Sequence, residues 1–150
     1  MHPLLSSWQV WALLSAAFAA LTAIFAKQGV STVAPDVATF IRTVLILAML
    51  GIVLIVGGAW RGLAAVFSGG LGGRGLWYLT LSALATGASW LCYFRALNLG
   101  DASRVAPIDK LSVVLVAVFG ALFLGERLSA TGWLGVALIA LGAALVAYRA

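Results

Sequence analysis

Three places in the chain set ionisable side chains inside or against long apolar runs. Arg42 stands in "ATFIRTVLIL" (residues 38–47), Asp109 and Lys110 adjoin in "APIDKLSVVL" (106–115), and Lys27 closes the run from Trp8 to Ala26. The chemistry open to such groups is electrostatic. A fixed cation in a low-dielectric, water-poor setting repels other cations and draws a carboxylate or phosphate towards it. Ionisable residues within apolar spans are expensive to keep there and commonly line solute or ion pathways. Lys27, Arg42 and Lys110 against Asp109 make an excess of positive charge. The first apolar run holds no acid at all, its polar residues being Gln9, Ser15 and Thr22. The solute expected from this set is anionic, zwitterionic or neutral rather than a lipophilic cation. Trp11, Trp90 and Tyr93 supply apolar or stacking walls in the same reading, and packing or membrane-interface roles in the other.

Each charged group has two readings, set by depth. Asp36 follows Pro35 at the head of the second run and reads as a helix N-cap. A helix starting there puts Arg42 nearly two turns inside, whereas a span formed by 43–60 alone leaves it at the interface. Lys27 ends a run already long enough to cross, so interfacial anchoring and cavity lining are both open to it. For Asp109 and Lys110, the apolar stretch from Leu111 to Leu124 covers only about 21 Å of helix at about 1.5 Å per residue, too short to cross alone. The helix is expected to reach back through Pro107 towards Val105, the proline being tolerated in a first turn. The pair then lies about one turn inside the span, and it either faces a polar cavity or snorkels to the interface across a locally thin bilayer.

Catalytic chemistry finds no footing. The single histidine is His2, no Cys/His cluster with metal-ligand spacing occurs, and Ser112 and Asp109 have no histidine to join them into a hydrolytic triad. The glycine-rich "SGGLGGRG" at 68–75 lacks the Lys-Ser/Thr of a phosphate loop. Cys92 is alone in an apolar run and reads as a small buried hydrophobe. No enzyme activity, metal or cofactor is expected.

The elements that carry these residues follow from composition. Of 150 residues, 64% are hydrophobic and 9% charged, against about 25% charged in a soluble domain. Nine Lys/Arg and four Asp/Glu cannot form the polar shell that a water-soluble core of this size needs. The fold class is therefore an all-α integral membrane protein, with five transmembrane helices expected near 8–28, 36–58, 75–96, 105–124 and 130–148. The segment 60–75 is too broken by glycine to span. The start of the chain has no basic region before its first apolar run, which reads as a retained helix rather than a cleaved signal. The basic residues are scattered singly with no basic stripe, so the net charge of +5 does not point to nucleic acid. Small residues recur at helical spacing, as in Ala83 with Gly87, Ala117 with Ala121 and Ala143 with Ala147, and such pairs let helices approach closely in lipid.

From Ala96 to Ala147 the chain resembles the EamA domain of the drug/metabolite transporter superfamily. The resemblance rests on "ASRVAPI", on "LGERLS" at 124–129 and on "WLGVALIALGAALV" after it, with "AAFAALTAIFAKQG" and "ATFIRT" similar to the family's first two helices. Many full-length relatives carry a proline in the middle of the fourth helix, where this chain reads "KLSVVLVAV". It looks more like the short, single-domain members, one EamA-like repeat unit over 1–150.

The resemblance implies a secondary transporter in a bacterial cytoplasmic membrane, moving a small polar or amphipathic metabolite. Long members join two such domains with inverted topology, and inverted-repeat transporters hold their substrate near the midplane between repeats. A single domain completes that arrangement as an antiparallel homodimer. Loop charge agrees. With the five expected spans, Arg61, Arg74 and Arg127 fall on one side and Lys27, Arg95, Arg104 and Arg149 on the other. Such near balance gives little orientation preference and allows dual topology. Counting Arg42 and Lys110 with the second side favours a cytoplasmic C-terminus. The competing function is a non-transporting or lipid-flippase subunit of a heteromeric membrane complex, and charges placed at depth favour transport over it.

Overall fold

A computed structural model describes residues 8–66 and 73–148. Among these residues the regular structure is helical throughout: α1 (Trp8–Val30), α2 (Pro35–Val56), α3 (Trp60–Ala65), α4 (Gly73–Leu99), α5 (Ala102–Asp109), α6 (Leu111–Phe123) and α7 (Ala130–Ala147). His2, Arg149 and most of the glycine-rich stretch at 68–75 lie outside the described residues.

Four stretches are long and apolar enough to cross a bilayer: α1, α2, the α5–α6 run from Ala102 to Phe123, and α7. They have 23, 22, 22 and 18 residues, or about 27–35 Å at about 1.5 Å per residue, matching a hydrocarbon core of about 30 Å. The longest helix, α4, has 27 residues but is not among them. Its sequence is diluted by Trp77, Tyr78, Thr80, Ser82, Thr86, Ser89, Trp90 and Tyr93. Thr80 and Thr86 turn their hydroxyls back onto the carbonyls of Leu76 and Ser82, at 2.9 Å each, so α4 satisfies those polar groups internally. Large apolar side chains such as Phe18, Phe40, Leu47, Leu84, Leu122 and Leu145 point outward and are exposed. Ranks of that kind are tolerated in lipid and would drive aggregation in water.

The chain divides into two compact units, one of residues 29–95 and one of residues 1–28 with 96–150. In the second unit α5 and α6 both pack on α7. The turn that reverses the chain between α6 and α7 is the segment "LGERLS". Leu124 and Glu126 both donate their backbone N–H to the Gly120 carbonyl, at 3.1 and 3.0 Å, and Gly125 takes φ +67°, where a side chain would be strained. The Glu126 carboxylate folds back over Gly120, occupying the space that a Cβ there would need. Ser129 then caps α7, its Oγ accepting from the Gly132 N–H at 3.1 Å.

Three expectations change. Cys92, read as buried, is exposed on α4, an apolar side chain that lipid tolerates as well as a protein core. Asp36 is not the cap of α2. Pro35 takes the first helical position with Ala34 before it as the flanking residue, because a proline loses nothing where the N–H is unpaired anyway. Asp36 falls in the first turn, and its carboxylate is engaged elsewhere, by Arg95. The fourth span also starts earlier than Val105. Helix begins at Ala102, so Pro107 lies inside α5 rather than in a first turn. A proline there removes one rung of the helical ladder, and the helix is interrupted three residues later, at Lys110, before resuming as α6.

Candidate functional site

In the unit of residues 29–95, α2 and α4 bring their polar groups together in two tiers. Arg95 clasps Asp36 through two hydrogen bonds, Nε donating to Oδ1 at 3.2 Å and Nη2 to Oδ2 at 3.0 Å. This is the bidentate fork that guanidinium and carboxylate geometry favours. Both side chains are about 60% exposed, so solvent screens the pair and it adds little stability.

The second tier is Arg42. Lying seven residues after Pro35, it is about 10 Å along the helix from the start of α2. Its guanidinium carbon sits 4.7 Å from the centre of the Trp90 ring and 5.3 Å from that of Phe94, within the range of a cation–π contact. Trp90 and Phe94 are four residues apart on α4 and so share a face. Phe94 is buried and Tyr93 packs edge-on to it, ring centres 6.4 Å apart. The neighbouring hydroxyls on α2 are already satisfied: Thr39 and Thr43 donate to the carbonyls of Pro35 and Thr39, at 2.8 Å each. Neither ion pair among the described residues includes Arg42. The result is a half-buried cation with aromatic rings against it and, among the described residues, no carboxylate paired to it.

The other candidates belong to the second unit. Lys27 donates through Nζ to the carbonyls of Leu97 and Gly100, at 2.7 and 2.8 Å. Those carbonyls stand at the C-terminal end of α4, where helical partners run out and the helix dipole favours a cation. Asp109 and Lys110 pair with each other at 3.2 Å, their side chains 35% and 55% exposed. Trp11 lies on α1 and is largely exposed.

Of the residues singled out by sequence, the structure therefore joins Arg42 to Trp90 and places Tyr93 beside the same cluster. Phe94 and the Asp36–Arg95 pair were not foreseen. The Trp90–Phe94 spacing could have disclosed Phe94, since i,i+4 aromatics make one surface. Nothing local to Asp36 or Arg95 pairs them across 59 positions of sequence.

Comparison with known proteins bears on what this arrangement serves. The model of the EamA-like transporter family matches residues 6–148, and the chain belongs to that family. It is 60% identical over 141 residues to a Sinorhizobium protein described as an uncharacterized transporter in the cobO 3' region, the match covering 94% of this chain and 96% of that one. It is 32% identical over 141 residues to an uncharacterized transporter of Vibrio cholerae, covering 92% of this chain but 42% of the longer protein. No solved structure matches. Family and relatives together support a transport role in a membrane.

Proposed function

We propose that the chain is a secondary transporter of a small polar or amphipathic metabolite, working as an antiparallel homodimer in a bacterial cytoplasmic membrane with its solute cavity near the midplane. The observation that carries this reading is the length relation among relatives. Nearly all of this chain matches 42% of the Vibrio protein, which leaves that protein room for a second unit of the same size. A unit that is half of an inverted-repeat transporter completes its cavity by pairing with an opposed copy. In this proposal α4 also crosses the membrane, third in chain order, and completes the set of five spans. Arg42 with Trp90 and Tyr93 forms the solute-facing set, while Asp109 and Lys110 mark a second charged position inside a span.

The test combines topology and flux. Reporter fusions at the C-terminus should give signal on both sides of the membrane, and purified protein in proteoliposomes should take up solute saturably as a dimer. Signal on one side only, together with a functional monomer, would overturn the antiparallel pairing.

A further inference from the structure

We propose that Arg42, set over the Trp90 and Phe94 rings, is an oxyanion anchor: it holds one carboxylate or phosphate group of the ligand in the plane of its guanidinium. The inference deepens the transport reading for what the site is for, but its binding chemistry stands on the side chains alone.

Four observations converge. Arg42 is half-buried within an apolar helix, and a guanidinium keeps its proton in proteins, so the positive charge cannot be relieved by titration. The carboxylate nearest along α2, Asp36, is already clasped by Arg95. The hydroxyls of Thr39 and Thr43 point into their own helix. What touches the cation instead is aromatic, and ring faces offset only part of the cost of desolvating a charge. The donor geometry matters as well: all five N–H donors of a guanidinium lie in one plane and form a fork that fits a planar or tetrahedral oxyanion, and neither ion pair among the described residues engages Arg42. A lysine would not serve, since its ammonium is a strongly hydrated point charge with no face to stack. Trp90 then plays two parts, orienting the guanidinium and offering an apolar wall to the body of the ligand.

Two sources could supply such an oxyanion, a water-soluble organic anion or the headgroup of an anionic phospholipid, and they separate by experiment. Benzoate and inorganic phosphate would be titrated by calorimetry into the protein in nanodiscs of phosphatidylcholine, then into nanodiscs containing phosphatidylglycerol. Arg42→Gln should weaken benzoate binding at least tenfold, and Arg42→Lys should fail to restore it. Trp90→Leu should weaken it severalfold. Because the variants could fold poorly, the wild-type protein provides a second readout: benzoate should protect Arg42, located by mass spectrometry, from modification by phenylglyoxal. Benzoate binding unaffected by phosphatidylglycerol assigns the site to a soluble solute, and binding abolished by it assigns the site to an anionic lipid headgroup. Either result supports the anchor. Unchanged affinity in a folded Arg42→Gln protein, or absence of protection in the wild type, overturns it. Binding that depends on Arg42 without flux in proteoliposomes would sink the transport reading alone. Saturable flux indifferent to Arg42 would sink the anchor alone.

Discussion

Lys27 and Arg42 are both single cations set near the ends of apolar helices, and in sequence they invite the same interpretation. The structure treats them differently. Lys27 spends two of its N–H donors on the carbonyls of Leu97 and Gly100, groups that the end of α4 would otherwise leave unsatisfied. Arg42 lies over the Trp90 and Phe94 rings. A cation whose donors are consumed by backbone holds architecture together. One that lies over aromatic rings and joins no ion pair among the described residues is the better candidate for a ligand. Charge at depth is thus not by itself a mark of function, and the partner of each charge is the discriminating fact.

The contrast can be broken by three further substitutions. The largest effect on stability is expected at Lys27. Changing Lys27→Met keeps the apolar stem but removes two charge-assisted hydrogen bonds and strands two carbonyls. With hydrogen bonds to charged groups contributing about 1.5–3 kcal/mol each, a loss of about 3 kcal/mol is expected, seen as a clear drop in melting temperature. Flux per folded molecule should survive. A Lys27→Met protein that melts like the wild type but no longer transports would reverse the assignment of the two cations.

Gly125→Ala comes next and concerns architecture of another kind. The left-handed φ at that position should cost a residue with a Cβ about 1–2 kcal/mol. Substitution by Asn, which tolerates this region better, should restore part of the loss. Equal melting of the Ala, Asn and wild-type proteins would show that the turn between α6 and α7 does not depend on it.

The smallest effect is expected at Asp109. Its pair with Lys110 is between chain neighbours and open on one side; with the pair facing a water-filled cavity, Asp109→Asn should change stability by about 0–1 kcal/mol. A loss of several kcal/mol on titration with denaturant or heat would mean that the pair is desolvated in the membrane and that Lys110 is left stranded when its partner is removed. In that event Asp109 and Lys110 would join Arg42, rather than Lys27, in the functional class.

Much of the molecule was legible before any coordinates. The scarcity of charge, with thirteen Asp, Glu, Lys and Arg in 150 residues, settles the solvent, because no arrangement of so few polar groups covers a core of this size in water. Helix positions follow within a few residues from bilayer thickness and the rise per residue. Where the reading slipped, a local rule competed with another. At the head of α2, Asp36 suited a cap, but Pro35 suited the first helical position and took it. In "APID" a proline was expected in the first turn, yet the chain enters helix at Ala102 and carries the proline inside.

Sequence by itself determined the class of protein and the inventory of charges and aromatics, because these depend on composition and on short-range periodicity, while its motifs carried the resemblance to the family. Only tertiary structure decided the partners: Arg95 for Asp36, α4 carbonyls for Lys27, and the Trp90 and Phe94 rings for Arg42. The physical reason is range. Hydrophobicity and helix geometry act along the chain and leave their period in it, whereas a hydrogen bond or a ring stack between residues some fifty to seventy positions apart leaves no trace in either residue's neighbours.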